Sequence, residues 1–477
     1  MKKSIFALAL AAALVLSFTP AHAQWAGNPP DVQAKVNETI NKASEPAELL
    51  ALANAARQRA DFQTLTAAMV RLSALRPQSG DYIFGLATAY ALAGKKSETY
   101  NNLLKLQKLG LSYPVDGNPD FKLVADTEVY RYIADALKAN GNAFGGGKLR
   151  LTAQGKPALT ESITYDQARQ EFLLGDVAQG VVYRIKADGS KRVFITGDAK
   201  NGVAGVLGVL VDSKRNALWV ASAELPQYVR FNPERAGMSS LARFDLASGA
   251  FQARLEVPKE AGPRLLSHMA IAADGTLYIA DGLNPAVYQV KAGGKTIEPL
   301  FSNPILSDLR AIALSPSGRI LYVADLQMGL YGVDLVKKAG VTFAPPDTLN
   351  LGGITGMTTS ADGSLLLVQA GTSPKRIMRL RMKNDGTELD KIEPLDAAQP
   401  ALENPVGAVL VGKQLVTIAN SQWTKFDREG KLLSGQTLDA TKLWASDLDF
   451  AGVTPSAEQA LQEMRRATEA RQKKPAQ

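Results

Sequence analysis

Three charged or titratable side chains stand near the starts of short apolar runs in the second part of the chain. Glu161 lies in the run TESITYD, His268 in LSHMAIA and Arg310 in LRAIALS. Each precedes by 13–15 residues an aspartate that closes the following apolar run. A guanidinium binds carboxylates and phosphates, and a histidine with a glutamate can act as an acid/base pair. The three residues could therefore bind an anionic ligand, or Glu161 and His268 could catalyse a reaction on an anionic substrate held by Arg310.

Each of these residues also has a purely structural interpretation. A single histidine in a strand is more often a hydrogen-bonded core residue than a catalyst, and Glu161 could serve only as the ion-pair partner of Arg310. The closing aspartates precede tight turns, where an aspartate accepts hydrogen bonds from nearby backbone N–H groups. We expect these aspartates to be structural, and they are Asp176, Asp281 and Asp325. The chain has no Gly-x-Ser-x-Gly sequence, which disfavours a Ser-His-Asp hydrolase.

The composition excludes several kinds of site. The chain has 477 residues, no cysteine and two histidines. Disulfides, zinc ribbons, iron–sulfur clusters and thiol nucleophiles are thereby excluded, and a metal site with several histidine ligands is nearly excluded. Apolar residues make up 46% of the chain, which is enough for the cores of two or three domains. The net charge of +8 is spread along the chain, so nothing favours a nucleic-acid partner.

The first 23 residues have the layout of a secretory signal peptide. A basic start precedes an apolar run from Ile5 to Phe18, which is followed by the cleavage sequence Ala21-His22-Ala23. The alternative is an uncleaved anchor, but the apolar run is short of the ~20 residues that cross a bilayer. No later run is long enough to span a membrane. We expect cleavage after Ala23, a periplasmic or secreted protein, and His268 as the only histidine of the mature chain.

Residues 24–140 are predicted to form an α-helical domain. Apolar residues recur at spacings of three and four in ELLALANAARQRADF, QTLTAAMVRLSALRP, YIFGLATAYALAGK and ETYNNLLKLQKLG. Small residues also repeat at an offset of 34, so that Ala51-Leu52-Ala53 aligns with Gly85-Leu86-Ala87. This period resembles that of the tetratricopeptide repeat, and a small bundle of helical hairpins is the alternative. Both arrangements stack helix pairs and leave a groove for a protein partner.

The next part of the chain is predicted to be all-β. The glycine-rich residues 141–147 break the helical pattern and are interpreted as a linker. Residues 148–450 carry short apolar runs separated by turns. A phrase of the type TLYIADGLNPAVYQV occurs six times at intervals of 44–59 residues. This rhythm indicates a six-bladed β-propeller, so the predicted fold class is an all-β propeller preceded by an all-α domain.

Three further segments have expected roles in this architecture. Residues 227–240 fall in the longest interval and are interpreted as an insertion in the second blade. The sequence KLRLTA at 148–153 is predicted to complete the last blade by pairing with a strand in the 430s or 440s, which would remove an open sheet edge. Residues 451–477 are polar and charged, and we expect a short helix with a frayed end.

The first-blade sequence TESITYDQARQEFLLGDVAQGVVYRI resembles the gluconolactonase / senescence-marker-protein family, in which a glutamate precedes an aromatic-Asp turn and a strand ending in aspartate. The resemblance covers the whole propeller as blade rhythm, which yellow/royal-jelly and strictosidine-synthase-like propellers share. It implies a divalent cation, often calcium, held in the channel by a glutamate, an asparagine and an aspartate that is also the general base. Glu161 matches the first of these positions. His268 and Arg310 stand at the other two, and Leu207 falls near the usual substrate-binding residue.

These replacements change the expected chemistry. Calcium prefers several oxygen ligands, so a glutamate, Glu161, with a histidine and an arginine makes a poor calcium site. We expect Arg310 to form an ion pair with Glu161 instead. The favoured interpretation is an exported ligand-binding or protein-interaction propeller with a degenerate metal site, for a small anionic or sugar-like ligand. The alternative is a periplasmic lactonase- or esterase-like hydrolase with altered site residues, in which His268 and Glu161 are catalytic.

Overall fold

The chain folds into a six-bladed β-propeller preceded by an α-helical region, which confirms the predicted fold class. This is a computed structural model, and it describes residues 30–257 and 262–450. The predicted signal peptide at 1–23 and the predicted tail at 451–477 lie outside the described residues. Within the described ranges, no helix combines the length and apolar character that crossing a bilayer requires.

Helices occupy most of the chain from residue 30 to residue 140. They are α1 Pro30–Lys42, α2 Pro46–Gln58, α3 Phe62–Leu75, α4 Gly80–Leu92, α5 Lys96–Lys108 and α6 Glu128–Asn140. Asp61, Ser79 and Thr127 fix the starts of α3, α4 and α6, because each side chain accepts a hydrogen bond from a backbone N–H in the first turn. Helices α2 and α4 begin 34 residues apart, as do α3 and α5. The tetratricopeptide assignment itself stays a prediction.

The strands of the propeller form six antiparallel sheets, one for each blade. Two strands, β1 Phe144–Gly145 and β2 Lys148–Thr152, precede the first full blade. The others follow in blade order: β3 Thr160–Asp166, β4 Glu171–Asp176, β5 Val181–Ile185 and β6 Lys191–Thr196; β7 Gly205–Asp212, β8 Ala217–Ala223, β9 Ser239–Asp245 and β10 Phe251–Glu256; β11 Leu266–Ile271, β12 Leu277–Asp281, β13 Ala286–Val290 and β14 Glu298–Ser302; β15 Leu309–Leu314, β16 Ile320–Asp325, β17 Gly329–Asp334 and β18 Ala339–Thr342; β19 Ile354–Thr359, β20 Leu365–Gln369, β21 Arg376–Lys383 and β22 Glu388–Ala397; and β23 Val406–Val411, β24 Gln414–Ile418 and β25 Lys442–Asp447.

Strand β2 closes the ring by completing the sixth blade. It pairs antiparallel with β25, so that Leu149 lies opposite Trp444 and Thr152 opposite Lys442. This confirms the pairing predicted for residues 148–153. The sixth sheet therefore takes strands from both ends of the propeller, and the edge of β25 is covered.

The glycine-rich segment before β2 does more than link the two regions. Strand β1 pairs with β22 and adds a fifth strand to the fifth blade, with Phe144 opposite Ala397. Gly145 has a φ of +110°, and a Cβ there would lie 2.2 Å from Oδ1 of Asp396. The backbone N–H of Gly147 donates to the same oxygen at 2.9 Å. Glycine is needed here because the segment approaches blade five closely in a backbone conformation that other residues rarely adopt.

One end of the ring carries most of the irregular structure. In each blade the start of the first strand lies beside the end of the second, as Leu309 lies beside Asp325. The starts of the inner strands, the turns after the second strands and the connections between blades therefore share one end, which we call the mouth face. Two insertions extend from it. One is residues 224–238 between β8 and β9, which corresponds to the predicted insertion, and the other is residues 419–441 between β24 and β25.

The helical region docks on the mouth face at the fourth and fifth blades. Nε of Arg76, just after α3, donates to Oε1 of Gln327 at 2.7 Å. Nη1 of Arg376 in the fifth blade donates to the carbonyl oxygen of Leu109 at 2.9 Å, just after α5. The end of the ring where the inner strands begin is thus the end that faces the helices.

Candidate functional site

The inner strand of every blade begins with the same irregularity. Each inner strand has a bulge with one extra residue near its start, after the first residue pair in β3, β11, β15, β19 and β23 and after the second pair in β7. A bulge re-aims a side chain, and the inner strands of a propeller surround its central channel. We call the set of residues that directly follow the last pair before each bulge the bulge ring. Its members are, in blade order, Glu161, Leu207, Ser267, Arg310, Thr355 and Gly407.

The third blade departs from the expected register by one residue. Ser267 holds the ring position, and His268 follows it, both lying between the pairs Leu266–Asp281 and Met269–Ile279. Other blades have small residues at the position of His268, namely Ser162, Gly208, Ala311, Gly356 and Ala408. The inner strands are crowded there, because a Cβ on Gly208 would lie 1.9 Å from the carbonyl oxygen of Ser267. The similar spacing of Glu161, His268 and Arg310 from their closing aspartates predicts equivalent positions in the three strands, and for His268 this is wrong by one residue. His268 is the one large side chain at its level in the six inner strands.

Glu161 is buried, and two donors from the blade-six insertion hold it. Oε2 accepts a hydrogen bond from Oγ of Ser421 at 3.0 Å and from the indole Nε1 of Trp423 at 2.5 Å. Burial raises the pKa of the Glu161 carboxyl to about 7, although the Arg310 charge and these two hydrogen bonds act in the opposite direction. Glu161 can therefore exchange a proton near neutral pH. Sequence reasoning missed both donors.

Arg310 pairs with Asp308 and not, as expected, with Glu161. Its Nε lies 2.8 Å from Oδ1 of Asp308, and its Nη2 donates to Oδ2 at 3.0 Å. The two side chains lie two residues apart and form an ion pair with one charge-assisted hydrogen bond, from Nη2, while Nε lies close to Oδ1 without hydrogen-bond geometry. Burial raises the pKa of Asp308, whereas Arg310 lowers it. Arg310 acts on Glu161 only through its charge, and Asp308 is a channel residue that the sequence did not indicate.

His268 is held neutral beside this pair. Its Nδ1 lies 3.3 Å from Oγ of Ser267, and its Nε2 is buried with no hydrogen-bond partner among the described residues. Burial and the nearby charge of Arg310 lower the pKa of His268 to about 4. Arg310 therefore lies near enough to both Glu161 and His268 for its charge to lower the pKa of each.

The closing aspartates have the structural role predicted for them. Oδ1 of Asp176 accepts hydrogen bonds from the backbone N–H groups of Ala178 and Gln179. Asp281 and Asp325 likewise accept bonds from the backbone of the turn that follows each of them and from the start of their own inner strand. Each aspartate therefore joins the first and second strands of its blade at the mouth face.

The residues in the channel do not fit a calcium ion. The indole N–H of Trp423 points a hydrogen at the carboxylate of Glu161, and the guanidinium of Arg310 places a positive charge beside it. Asp308 is already paired with that guanidinium. Within residues 30–257 and 262–450, no group of three or more histidine, aspartate or glutamate side chains is arranged to hold a metal ion. Calcium needs several free oxygen ligands, whereas Oε2 of Glu161 and both carboxylate oxygens of Asp308 already face donors.

No protein-family model and no curated protein matches the chain. Among solved structures, it is similar to a gluconolactonase from Xanthomonas campestris, with 14% identity, a TM-score of 0.43, and coverage of 65% of this chain and 92% of that one. It is also similar to the calcium-binding protein regucalcin from Agrobacterium tumefaciens, with 16% identity, a TM-score of 0.43, and coverage of 65% and 97%.

A third similar structure is virginiamycin B lyase from Staphylococcus aureus, with 14% identity, a TM-score of 0.43, and coverage of 64% of this chain and 100% of that one. The propeller assignment itself rests on the strand order of this chain.

Proposed function

We propose that the channel binds a small carboxylate or similar oxyanion through Arg310 and His268, without a metal ion. The observation that carries the proposal is the buried Nε2 of His268, which lacks a hydrogen-bond partner in a channel shared with Arg310. Buried polar atoms in folded proteins nearly always have a partner. A ligand oxygen is the partner that this site would gain.

The neighbours of His268 support this assignment. We assign the proton of the neutral ring to Nε2, because Oγ of Ser267 can donate to Nδ1. An unpaired buried donor costs about 1–3 kcal/mol, and a ligand oxygen would offset that cost. The Arg310 side chain keeps 23% of its surface exposed despite its pairing with Asp308. It can therefore give the same ligand a second, charge-assisted hydrogen bond.

Calorimetric titration of the full chain with hexanoate at pH 7.5 tests this proposal. Arg310→Met is expected to weaken binding by about 10- to 100-fold, since it removes a charged hydrogen bond worth ~1.5–3 kcal/mol. Arg319→Met is the matched control, because Arg319 is also paired with an aspartate, Asp334, but at the end of the same blade that lies away from the mouth face. Absence of binding to the wild-type protein, or equal binding by Arg310→Met, would overturn the proposal.

A hydrolase acting on a small lactone or ester is the second candidate, and the near-neutral pKa of Glu161 favours it. A carboxyl with such a pKa can act as general acid or base at pH 7. Assays on lactones and esters in the presence of a chelator would compare the wild type with Glu161→Gln and His268→Ala. Turnover that both substitutions abolish would support the enzyme, and no turnover on a broad panel would leave ligand binding.

We further propose export and a protein partner. The signal-peptide layout of residues 1–23 supports cleavage after Ala23 and a periplasmic or secreted location. Mass spectrometry of the protein recovered outside the cytoplasm should give a chain that begins at Gln24. Stacked helix pairs commonly recruit proteins, and this supports a partner at the helical region.

A further inference from the structure

The last helix of the helical region carries two apolar stripes. One stripe is buried in the core of that region and consists of Tyr130, Ile133, Ala134 and Leu137. The other runs along a different side of α6, at spacings of three, four and three residues, and consists of Val129, Tyr132, Ala136 and Ala139. Val129 and Tyr132 are 53% and 50% exposed, and Ala139 is exposed as well. We call this second set the outer stripe.

The outer stripe does not suit the position of α6 in the fold. Helix α6 packs against α5 and is the last helix before the propeller strands. The terminal unit of a helical stack normally presents a polar face to water, because no further repeat covers it. The surface beside the outer stripe is charged, through Glu128, Arg131, Asp135 and Lys138. Apolar positions that recur every three or four residues are instead typical of a helix side that packs against another segment.

The described part of the propeller ends next to α6. The ring centres of Phe450 and Phe144 lie 5.6 Å apart, edge to face. Phe144 begins β1, shortly after α6 ends at Asn140. Residues 451–455 can span up to about 17 Å, so a helix that begins at Ser456 can start beside the C-terminal end of α6. A helix that follows α6 from that end has to run antiparallel to it.

Residues 456–471 have the sequence of an amphipathic helix. Ser456 and Gln459 have the spacing of a capping box, which favours a helix start. Glutamate, glutamine and arginine occupy one side of this helix, and the other side consists of Ala457, Ala460, Leu461, Met464 and Ala467. Such a helix is roughly 24 Å long, against about 20 Å for α6, so that each can cover the other along its length.

The outer stripe and the apolar side of residues 456–471 match when the two helices are antiparallel. Four of the apolar positions in 456–471 repeat the spacings of three, four and three residues. Alanine then faces alanine near the C-terminal end of α6, where small side chains allow the helices to approach closely. The opposed pairs are Ala139 with Ala457, Ala136 with Ala460, Tyr132 with Met464 and Val129 with Ala467.

Charge supports the same arrangement. Antiparallel packing brings the basic residues that follow this helix, Lys473 and Lys474, to the N-terminal end of α6. Glu128 is exposed in the first turn of α6, and Asp126, which pairs with Lys96, is exposed just before it. The basic end of the segment would therefore lie beside the acidic end of α6, where opposite charges attract.

We infer that residues 456–471 form a helix that covers the outer stripe of α6 and ties the end of the propeller to the helical region. The inference goes beyond the proposed function and does not depend on the channel. This segment is a better occupant than a second copy of the chain, because a short connection holds it near the stripe at an effective concentration of about millimolar. A protein partner of the helical region would then bind a surface other than the outer stripe.

Disulfide formation between introduced cysteines tests the contact, since the chain contains no cysteine of its own. In the full chain, the pair Ala136→Cys with Ala460→Cys is expected to form an intramolecular disulfide at least about tenfold faster than the control pair Ala136→Cys with Gln459→Cys. Gln459 adjoins Ala460 but lies on the polar side of the expected helix. The two pairs therefore differ in the direction of the side chain and not in reach.

Hydrogen exchange examines the same contact from the side of α6. A single helix of about 16 residues is marginal in water, so slow exchange of residues 457–470 requires packing. These amides are expected to exchange at least about tenfold faster in Val129→Asp than in the wild type. Val70→Asp is the matched control, because Val70 is 44% exposed on α3 and should leave the exchange of residues 457–470 unchanged.

Fast closure of the first cysteine pair, together with faster exchange in Val129→Asp, supports the packing of this segment on α6. Equal rates for the two cysteine pairs, or exchange that Val129→Asp leaves unchanged, would overturn it. Disulfides that join two chains would also overturn it and would assign the outer stripe to a second copy. If Val129→Asp does not fold, the two cysteine pairs decide alone.

Discussion

Two clusters in this molecule place an arginine beside two carboxylates, and they are built differently. In the first blade, Nη1 of Arg184 lies 2.9 Å from Asp166 and 3.2 Å from Glu171, and its side chain is 1% exposed. In the channel, Arg310 is paired with Asp308 alone and is 23% exposed. Glu161, the second carboxylate near Arg310, takes its hydrogen bonds from neutral groups.

The pKa shifts of the two clusters run in opposite directions. Burial would raise the pKa of Asp166, but its hydrogen bonds with Arg184 and Arg169 outweigh burial and lower it. Burial raises the pKa of Glu161 to about 7 because no cation bonds to it directly. In the first blade, the bonds from two arginines hold Asp166 ionised, whereas Glu161, which accepts hydrogen bonds from Ser421 and Trp423, stays available for proton exchange.

The largest expected effect is on stability in the first-blade cluster. Arg184→Met leaves Asp166 and Glu171 buried beside an apolar side chain, and we expect the free energy of unfolding to fall by about 3–5 kcal/mol. Chemical denaturation measures the change. Arg192→Met removes an arginine that also faces Glu171 but is 55% exposed, and it should cost under ~1 kcal/mol. Equal effects of the two substitutions would erase the contrast between buried and exposed partners.

The next effect is a change in pH dependence at Glu161. Its pKa in the folded protein, about 7, exceeds its ordinary value of 4.5, so that the folded state binds the proton more tightly. The contribution of Glu161 to stability is therefore full below pH 4.5 and is lost as the pH rises through 7. We expect the wild type to lose ~2 kcal/mol between pH 5 and pH 8 relative to Glu161→Gln.

Thermal unfolding of both proteins at several pH values measures this difference. Glu403→Gln is the control, because Glu403 is half exposed and is paired with Lys442. It should keep the pH dependence of the wild type. Parallel profiles for the wild type and Glu161→Gln would show that Glu161 titrates at its ordinary value, and the contrast between the clusters would then fail.

The smallest expected effect is at His268. His268→Phe keeps a ring and removes the unpartnered Nε2, so the free energy of unfolding should stay unchanged or rise by up to ~1 kcal/mol. Tyr322→Phe is the matched comparison, because the Tyr322 hydroxyl donates to the carbonyl of Gly386 at 2.9 Å. Its removal should lower the free energy of unfolding by ~1 kcal/mol. A marked loss of stability in His268→Phe would indicate that the histidine is a structural residue.

The blade architecture was predictable because its signals are local and repeated. The turn that follows Asp281 has N–H groups that the aspartate side chain bonds, and an aspartate marks the same turn in the first, third and fourth blades. Ring closure by β2 was predictable for a different reason. A strand-like sequence ahead of the first inner strand can supply the fourth strand that the last blade lacks, as β2 does beside β25.

The partners of the site residues were not predictable in the same way. Trp423 lies 262 residues from Glu161, in an insertion that lacks the blade rhythm, so no spacing connects the two. Asp308 stands two residues before Arg310 in the connection between blades. Side chains two residues apart in an extended chain point to the same side, and only this rule could have indicated Asp308. The one-residue error at His268 arose because a bulge changes the side to which each later side chain points.

The way in which β2 completes the sixth blade has a consequence for the order of assembly during synthesis. Lys148 pairs with Ala445, so β2 must wait for almost the whole propeller before it finds its neighbour. Contacts this distant in sequence form slowly, because the intervening chain must first be ordered. The helices, whose contacts are largely local, can form while the blades on which they dock are still unmade. A nascent chain that stops before Lys442 would leave both β2 and β24 with an unpaired edge, and such chains would associate through those edges.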